Sequence, residues 1–376
     1  MFGIKKKIVS YFDESYYYWY VPRKRAKWAK AMYERLANSG QIQHVPNSIK
    51  KQIDSRWHNS KIDYRWFDFY YTFCLKYRGE FSDDISLFVP LDFFFCQCEP
   101  YFNHPLDGIS YSDKNMNDMH FPEIEQPKTI LRYIDGLFFD SSYSIISKRD
   151  AHSLLESTGQ CVIKPATDSG GGKGIFFFDD KKDYDFDSIF TGTKNIIVQE
   201  LFHQHPSLKL LHEASVNTIR VVSLVWNGQV LILSSVVRMG MNNKQVDNLS
   251  AGGMYCGIND QGRLAKNAFA NYKGAMDSVY TQHPNSGVVF ENYEIPNFDK
   301  VIDAIKSVAL RYCRIGKMIA WDFSIDERGN PVMIETNMCG VDNSYFQMAN
   351  GPVFGDLTDQ IIEAVKNNPR KTFGIK

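Results

Sequence analysis

The sequence predicts an α+β protein in which a helical N-terminal region precedes a long stretch dominated by antiparallel sheet. Three observations carry this. TIRVVSLVW and QVLILSSVVRM are joined by Asn227-Gly228, a dipeptide that readily supplies the two positive-φ residues of a tight hairpin turn. A second pair, IAWDFSID and NPVMIETN, flanks Glu327-Arg328-Gly329 and reads as another hairpin. Ahead of both, from Trp28 to about Leu75, apolar and aromatic residues recur at helical spacing with few glycines or prolines, as in AKWAKAMYERLANSG, which closes on Gly40.

Residues 1–30 hold eight basic side chains (Lys5, Lys6, Lys7, Arg23, Lys24, Arg25, Lys27, Lys30) interleaved with Tyr16–Tyr18, Trp19 and Trp28. Such a segment can rest on an anionic membrane surface as a peripheral contact. The favoured reading is a basic amphipathic helix pair packed on its own protein, with the lysines in water. Around residues 80–110 the chain becomes aromatic and proline-punctuated, and helix and short strand cannot be separated. From Lys128 onward short β-rich runs dominate (TILRYIDGLFF, the strand ending at Lys164, GIFFFDD, NIIVQEL), with helices near Lys148–Ser157 and Asp299–Tyr312. No internal repeat or low-complexity linker interrupts them.

At 376 residues and 44% hydrophobic content the chain can build two or three domains with real cores. Lysine plus arginine equals aspartate plus glutamate at 43 each, so no global field recruits nucleic acid and any anion site must be made locally. The seven cysteines are scattered with no C-x-x-C pair, which argues against a metal knuckle or disulfide framework and for a reducing, cytoplasmic setting. The apolar part of MFGIKKKIVSYF is too short for a signal peptide, and no apolar run is long enough to span a bilayer.

Three motifs carry chemistry. In CVIKPATDSGGGKGI, Lys164 sits at the end of an apolar strand and is followed by glycines 170, 171, 172 and 174, whose backbone can bend through positive φ and offer N–H groups to an anion such as phosphate. A glycine-rich surface hairpin is the plain alternative. On the second hairpin, Glu335 and Asn337 are two residues apart and share a face, and the partner strand can bring Asp322 beside them. Two carboxylates and an amide suit Mg2+ or Mn2+, and an acid embedded in IAWDF needs a cation to offset its burial. Finally, NIIVQEL ends a β-branched strand in Gln199-Glu200-Leu201, a place where backbone groups can meet an adenine edge, although most such strands simply enter solvent.

The order of these motifs is specific. Asp113-Lys114-Asn115, IKP with its glycine loop, IVQEL, NTIRV, and IAWDFSID followed by GNPVMIETN resemble the ATP-grasp superfamily over about residues 110–365. Through NTIRVVSLV, VDNLSAGGMYCGIND and IAWDFSID the chain is most similar to the sugar-transfer-associated branch. The resemblance implies an N-terminal region (1–110), a lobe with the glycine-rich loop (111–205), and a lobe with the metal site and substrate pocket (206–376), clasping ATP between them. It implies that Lys114 and Lys164 contact the phosphates under a loop of Ser169, Gly170, Gly171, Gly172 and Gly174, with Lys173 a further cation at its tip. Gln199, Glu200 and Leu201 would line adenine, with His205 beside the ribose. The acid expected soon after the hinge is absent from LFHQHPSLK. Asp322, Glu335 and Asn337 match the magnesium ligands, Arg220 and Arg238 an arginine fork at the transfer site, and Asn248, Gly252 and Gly253 a loop over the acceptor. The implied function is a carboxylate–amine ligase acting through an acyl phosphate on a small carboxylate, such as a sugar acid, and an amine or amino acid, in polysaccharide modification. A kinase on the same scaffold and a non-catalytic nucleotide-binding module are the alternatives.

Overall fold

The computed structural model describes residues 40–58, 60, 62–77, 84–103, 108, 111–167, 172, 174–182, 184–192, 194–242, 244–270, 278–338 and 340–367, together with positions 24, 27, 30, 31, 33, 34, 37 and 38. The basic segment of residues 1–23 and the loop residues Ser169, Gly170, Gly171 and Lys173 lie outside the described residues.

Two antiparallel sheets form the frame. The first has the order β3-β2-β1-β6-β4-β5, built from β1 (Thr129–Ile134), β2 (Leu137–Asp140), β3 (Ile145–Ile146), β4 (Gln160–Pro165), β5 (Phe176–Asp179) and β6 (Asn195–Glu200). Strand alternation divides its residues between two environments. Cys161 and Ile163 pack with Leu131, Val198 and Phe178 under Leu155, whereas Val162, Lys164, Phe177 and Gln199 line a cleft. The covering helix α3 (Lys148–Thr158) is N-capped by Ser147, whose hydroxyl accepts from Asp150 N at 3.1 Å.

The second sheet runs β11-β10-β9-β8-β7-β12-β13, from β7 (Thr218–Trp226), β8 (Gln229–Met239), β9 (Met254–Ile258), β10 (Leu264–Ala270), β11 (Val279–Tyr280), β12 (Met318–Ile325) and β13 (Pro331–Asn337). Asn227 and Gly228 have φ of 50° and 78°, the mirror-image turn that matches strand twist, so the first hairpin forms as its dipeptide demands. The second hairpin closes through Gly329, at φ 84°.

This sheet is covered on both faces. Ile219, Val221, Val237, Ile319 and Trp321 pack with Val301, Ile305 and Val308 of the helix Phe298–Ala309. On the other face Val222, Leu224, Val236, Met318 and Ala320 join Trp57 of α1 (Asn47–Trp57) and Phe67, Tyr70 and Phe73 of α2 (Arg65–Tyr77). Residues on either side of position 110 therefore share one core. The aromatic stretch near 80–110 is mostly helical where described, with turns at Ile85–Leu87, Leu91–Phe93 and Glu99–Phe102 and a π-helical segment at Phe94–Cys98, broken by the non-helical residues 88–90. Apolar residues on nearly every side of these short segments blur the periodicity that separates helix from strand.

The N-terminal region also props the second hairpin. Asn103 donates from Nδ2 to the carbonyls of Met318 and Met338, each at 2.6 Å, and accepts from Met318 N at 3.0 Å. Glu99 accepts from the backbone N–H groups of Gly340 and Val341.

One half-buried acid in this region carries a desolvation cost. Burial pushes Asp92 up to about 6 against the opposing hydrogen bond that its Oδ2 accepts from Asp63 N at 2.7 Å, and its Oδ1 has no hydrogen-bond partner among the described residues. A raised carboxyl favours the folded state fully below the unfolded value of 3.8, and that contribution is lost as pH rises through about 6. Relative to wild type, Asp92→Asn should gain stability on going from about pH 4 to pH 7, by on the order of 2 kcal/mol, as measured by urea denaturation at the two values.

Candidate active site

The cleft lies where the two sheets face each other, a cavity of about 200 Å³ lined by Lys114, Val162, Lys164, Phe177, Gln199–Phe202, Thr218, Arg238, Gln245–Asn248, Asp322 and Glu335. Its floor is a continuation of a core face. Along β7 the residues of one face run Thr218, Arg220, Val222, Leu224, and along β12 Asp322, Ala320, Met318. The apolar members lie in the core shared with the N-terminal helices; the polar members begin where that cover ends.

Register brings the charges together. Arg220 is opposite Asp322, Asp322 opposite Glu335, Ala320 opposite Asn337, and Thr218 opposite Arg238. Asp322 is fully buried and bound side-on by one edge of the Arg220 guanidinium through both carboxylate oxygens, Nε to Oδ1 at 2.5 Å and Nη2 to Oδ2. Arg220 Nη1 also donates to the Tyr345 hydroxyl at 3.2 Å. Arg238 stands 3.4 Å from Asp322 Oδ2 and donates from Nε to Thr218 Oγ1 at 2.9 Å. Burial lowers the Arg220 guanidinium's affinity for its proton, but Asp322 outweighs it and holds the group well above its ordinary value.

The facing lobe contributes two lysines. Lys114 begins the turn Lys114–Met116, anchored by its N–H to Ala166 O at 3.0 Å and by Arg132, which donates to the carbonyl of Asn115 at 3.1 Å and pairs with Asp118. Its ammonium is 3.1 Å from Glu335 Oε2, bridging the lobes. Burial raises Glu335, yet Lys114, Arg220 and Arg238 outweigh it and hold the carboxyl at about 2. Lys164 goes the other way: burial first and Lys114 second lower it to about 8, with Glu335 opposing.

Asp322, Glu335 and Asn337 stand on the face expected for an oxygen-only cation site. Their oxygen donors, two carboxylates and the Asn337 amide oxygen, fit a hard divalent ion; the Asn337 Nδ2 donor is buried without a hydrogen-bond partner among the described residues and has no part in that fit. The cation demanded by the burial of Asp322 is supplied by arginine in this structure. At the other end of the cleft, Gln199 Nε2 donates to Pro127 O at 3.0 Å, leaving Oε1 buried without a partner. Glu200 is exposed and paired with Lys128 at 2.7 Å, while Leu201 lines the cavity. The described part of the glycine loop bends as its composition predicts, with Gly172 at φ 72° and Gly174 at φ 76°. A Cβ at Gly174 would lie 2.9 Å from Pro165.

His205 is not brought to the cleft lining. Its Nδ1 accepts from Ser207 N at 3.2 Å and caps the short helix Pro206–Leu211, a role suited to the Pro206 that follows it. Sequence reading missed Asp247, Thr218 and Tyr345. Only Asp247 left a trace, as the acid opening DNLSAGG; Thr218 and Tyr345 look like ordinary strand and helix residues.

The site is thus a two-lobed α+β cleft with Lys114 and Lys164 on one side and an Asp, Glu, Asn row on the second sheet. The chain belongs to the sugar-transfer associated ATP-grasp family, whose pattern matches residues 109–363. No curated protein matches it. Among solved structures it is similar to D-alanyl-alanine synthetase A from Vibrio cholerae O1 biovar eltor str. N16961, at 10% identity and TM-score 0.41, over 71% of this chain and 67% of that one. It is also similar to the ATP-grasp ligase PsnB bound to precursor peptide PsnA2 and AMPPNP, at 13% identity and TM-score 0.39, over 70% and 62% of the two chains. Biotin carboxylase from Campylobacter jejuni gives 15% identity and TM-score 0.38, over 68% and 46%. The chain thus spans less than two thirds of the length of the latter two. No described helix is long and apolar enough to cross a membrane.

The buried pair yields a stability test. Arg220→Ala leaves Asp322 with only the more distant Arg238, so the variant should lose about 3 kcal/mol, read from the shift of its chemical denaturation midpoint.

Proposed function

We propose that this protein is an ATP- and Mg2+-dependent carboxylate–amine ligase that activates a small carboxylate as its acyl phosphate and passes the acyl group to an amine. The observation that carries the reading is the Lys114–Glu335 contact across the cleft: it sets Lys114, Lys164 and Arg238 against Asp322 and Glu335 in one cavity, with Arg220 behind Asp322 and Asn337 further along the strand from Glu335. Such a cavity neutralises a polyphosphate and aligns a nucleophile, which is most of what phosphoryl transfer asks of a protein. Lys114 and Lys164 would hold phosphate oxygens. Arg220 and Arg238 would meet the charge that develops on the transferring group, and Gln199 and Leu201 would line the base. Asp322, Glu335 and Asn337 would hold Mg2+ or Mn2+, which supplies positive charge shared with the phosphates. Serving as a ligand requires Asp322 to release one oxygen from Arg220. The buried thiols of Cys161 and Cys256 are pushed up to about 12 by burial, which disfavours a thiolate nucleophile.

In the reaction the carboxylate attacks the terminal phosphorus, ADP leaves, the amine attacks the acyl carbon, and inorganic phosphate departs. The family's sugar-transfer association supports a sugar acid, or an amino acid joined to a sugar, and a place in surface-polysaccharide modification in the cytoplasm.

Lys164 gives the first test. With its proton held only up to about pH 8, affinity for a non-hydrolysable ATP analogue should fall as pH rises from about 7 to 9. Lys164→Gln should flatten that profile and weaken binding at pH 7 by roughly tenfold or more, both by calorimetry. The reaction itself is tested by stoichiometry. ADP and phosphate should form in equal amounts only when a carboxylate and an amine are both supplied, and hydroxylamine should replace the amine and yield a hydroxamate. A stable phosphorylated product with no free phosphate would instead identify transfer to a hydroxyl.

A further inference from the structure

The segment between β8 and β9 carries Gln245, Val246, Asp247 and Asn248 into the cleft lining. Val246 meets the glycine loop of the other lobe, since a Cβ on Gly172 would come within 3.0 Å of it. Asp247 reaches deeper. The Thr218 hydroxyl donates to Asp247 Oδ2, and Arg238 Nη2 stands 3.3 Å from the same oxygen. Arg238 Nε donates to Thr218 Oγ1, closing a triangle of guanidinium, hydroxyl and carboxylate. The backbone is shaped for this placement. Gly252 has φ 92°, and a Cβ on Gly253 would fall 2.3 Å from the carbonyl oxygen of Asp247.

Charge accounting makes this contact unusual. Asp322 is already held through both oxygens by Arg220, so Arg238, which is 6% exposed, shares that carboxylate at 3.4 Å and takes a second one, Asp247 at 3.3 Å, from a connecting segment rather than from the sheet. A carboxylate between a guanidinium and a hydroxyl is the arrangement a carboxylate ligand would itself adopt there.

We propose that Asp247 is a gate residue that occupies the acceptor's carboxylate subsite, and that an acceptor must take Arg238 and Thr218 from it to bind. The inference rests on the ligase reading only in taking the acceptor to be a carboxylate. A neutral hydroxyl cannot displace a carboxylate from a guanidinium, so the exchange selects anionic acceptors. It also couples acceptor binding to release of the β8–β9 segment. If the latched form outweighs the released one by about ten to one, apparent acceptor affinity is lowered about tenfold.

The test uses the full chain with acetate and inorganic phosphate as probes at constant ionic strength, read by calorimetry and by amide hydrogen exchange in residues 244–253. Asp247→Asn should bind acetate about tenfold more tightly than wild type, and the double variant with Arg238→Gln should lose the gain. Acetate should speed exchange in the wild-type segment, and Asp247→Asn should be fast without it. Thr218→Val, which removes one partner and keeps the side chain's shape, should move exchange in the same direction and covers the case in which Asp247→Asn fails to fold. Equal acetate affinity in wild type and Asp247→Asn, or a segment unmoved by acetate, would overturn the gate. A gain for phosphate alone would assign the subsite to a phosphoryl group and overturn it as well. Binding of the ATP analogue with Mg2+ is measured in parallel: its absence counts against the ligase reading, while the acetate result still decides the gate.

Discussion

Asp322 carries a carboxylate with no solvent exposure in the middle of a strand buried along its whole length. Desolvating such an ion costs several kcal/mol, so the fold can keep it only by bringing cations of fixed geometry to it. Arg220 does so from the neighbouring strand, at the directly opposed position, and Arg238 from one strand further. Tyr345, from the helix Asn343–Asn350, orients the guanidinium from above. Glu335 then sits beside an already occupied pair, and Lys114 of the other lobe reaches across to it. The bridge that joins the lobes therefore follows from how the central charge is held.

That constraint also gives the N-terminal region its role. The helices before residue 103 cover the apolar half of the face whose polar half is the cleft floor. Asn103 and Glu99 fix the backbone at the two ends of the same hairpin by hydrogen bonds to residues 318, 338, 340 and 341. Packing on one half of the sheet thus sets the strand positions that the other half uses for chemistry. The connection between the lobes is held as firmly. Asn217 donates to Gln204 Oε1 at 2.9 Å and to the carbonyls of Leu208 and His212 at 2.8 Å, and Gln204 donates to Ser215 O.

Across the cleft, the two lobes divide the electrostatic labour. Lys164 is buried beside another ammonium and holds its proton weakly, a condition that an incoming polyanion relieves. Glu335, surrounded by cations, stays ionised to low pH. The lysine side of the cleft is therefore rich in positive charge while the Asp322 side is ion-paired, the asymmetry on which the proposed anionic ligand rests.

Local chemistry was enough for the sequence alone to determine the two hairpins. Asn227-Gly228 and Gly329 dictate their turns through φ, and the two-residue spacing of Glu335 and Asn337 places them on one face, whatever the rest of the chain does. The burial of Asp322 among apolar neighbours likewise announced a cation. What tertiary structure decided was which cation: Arg220, 102 positions away, becomes the partner because strand order puts β7 beside β12. Likewise His205, legible as a candidate ribose neighbour, is taken by the cap of the helix that Pro206 begins. Thr218 looked like an ordinary strand residue and Asp247 only like the first residue of a loop, because the partner that gives each its task is remote in sequence. Their contact spans 29 positions and exists only because the β8–β9 segment folds back over the end of the first hairpin. The same holds for the continuous core on both sides of position 110, where apolar residues on nearly every side blur the periodicity that would have marked it.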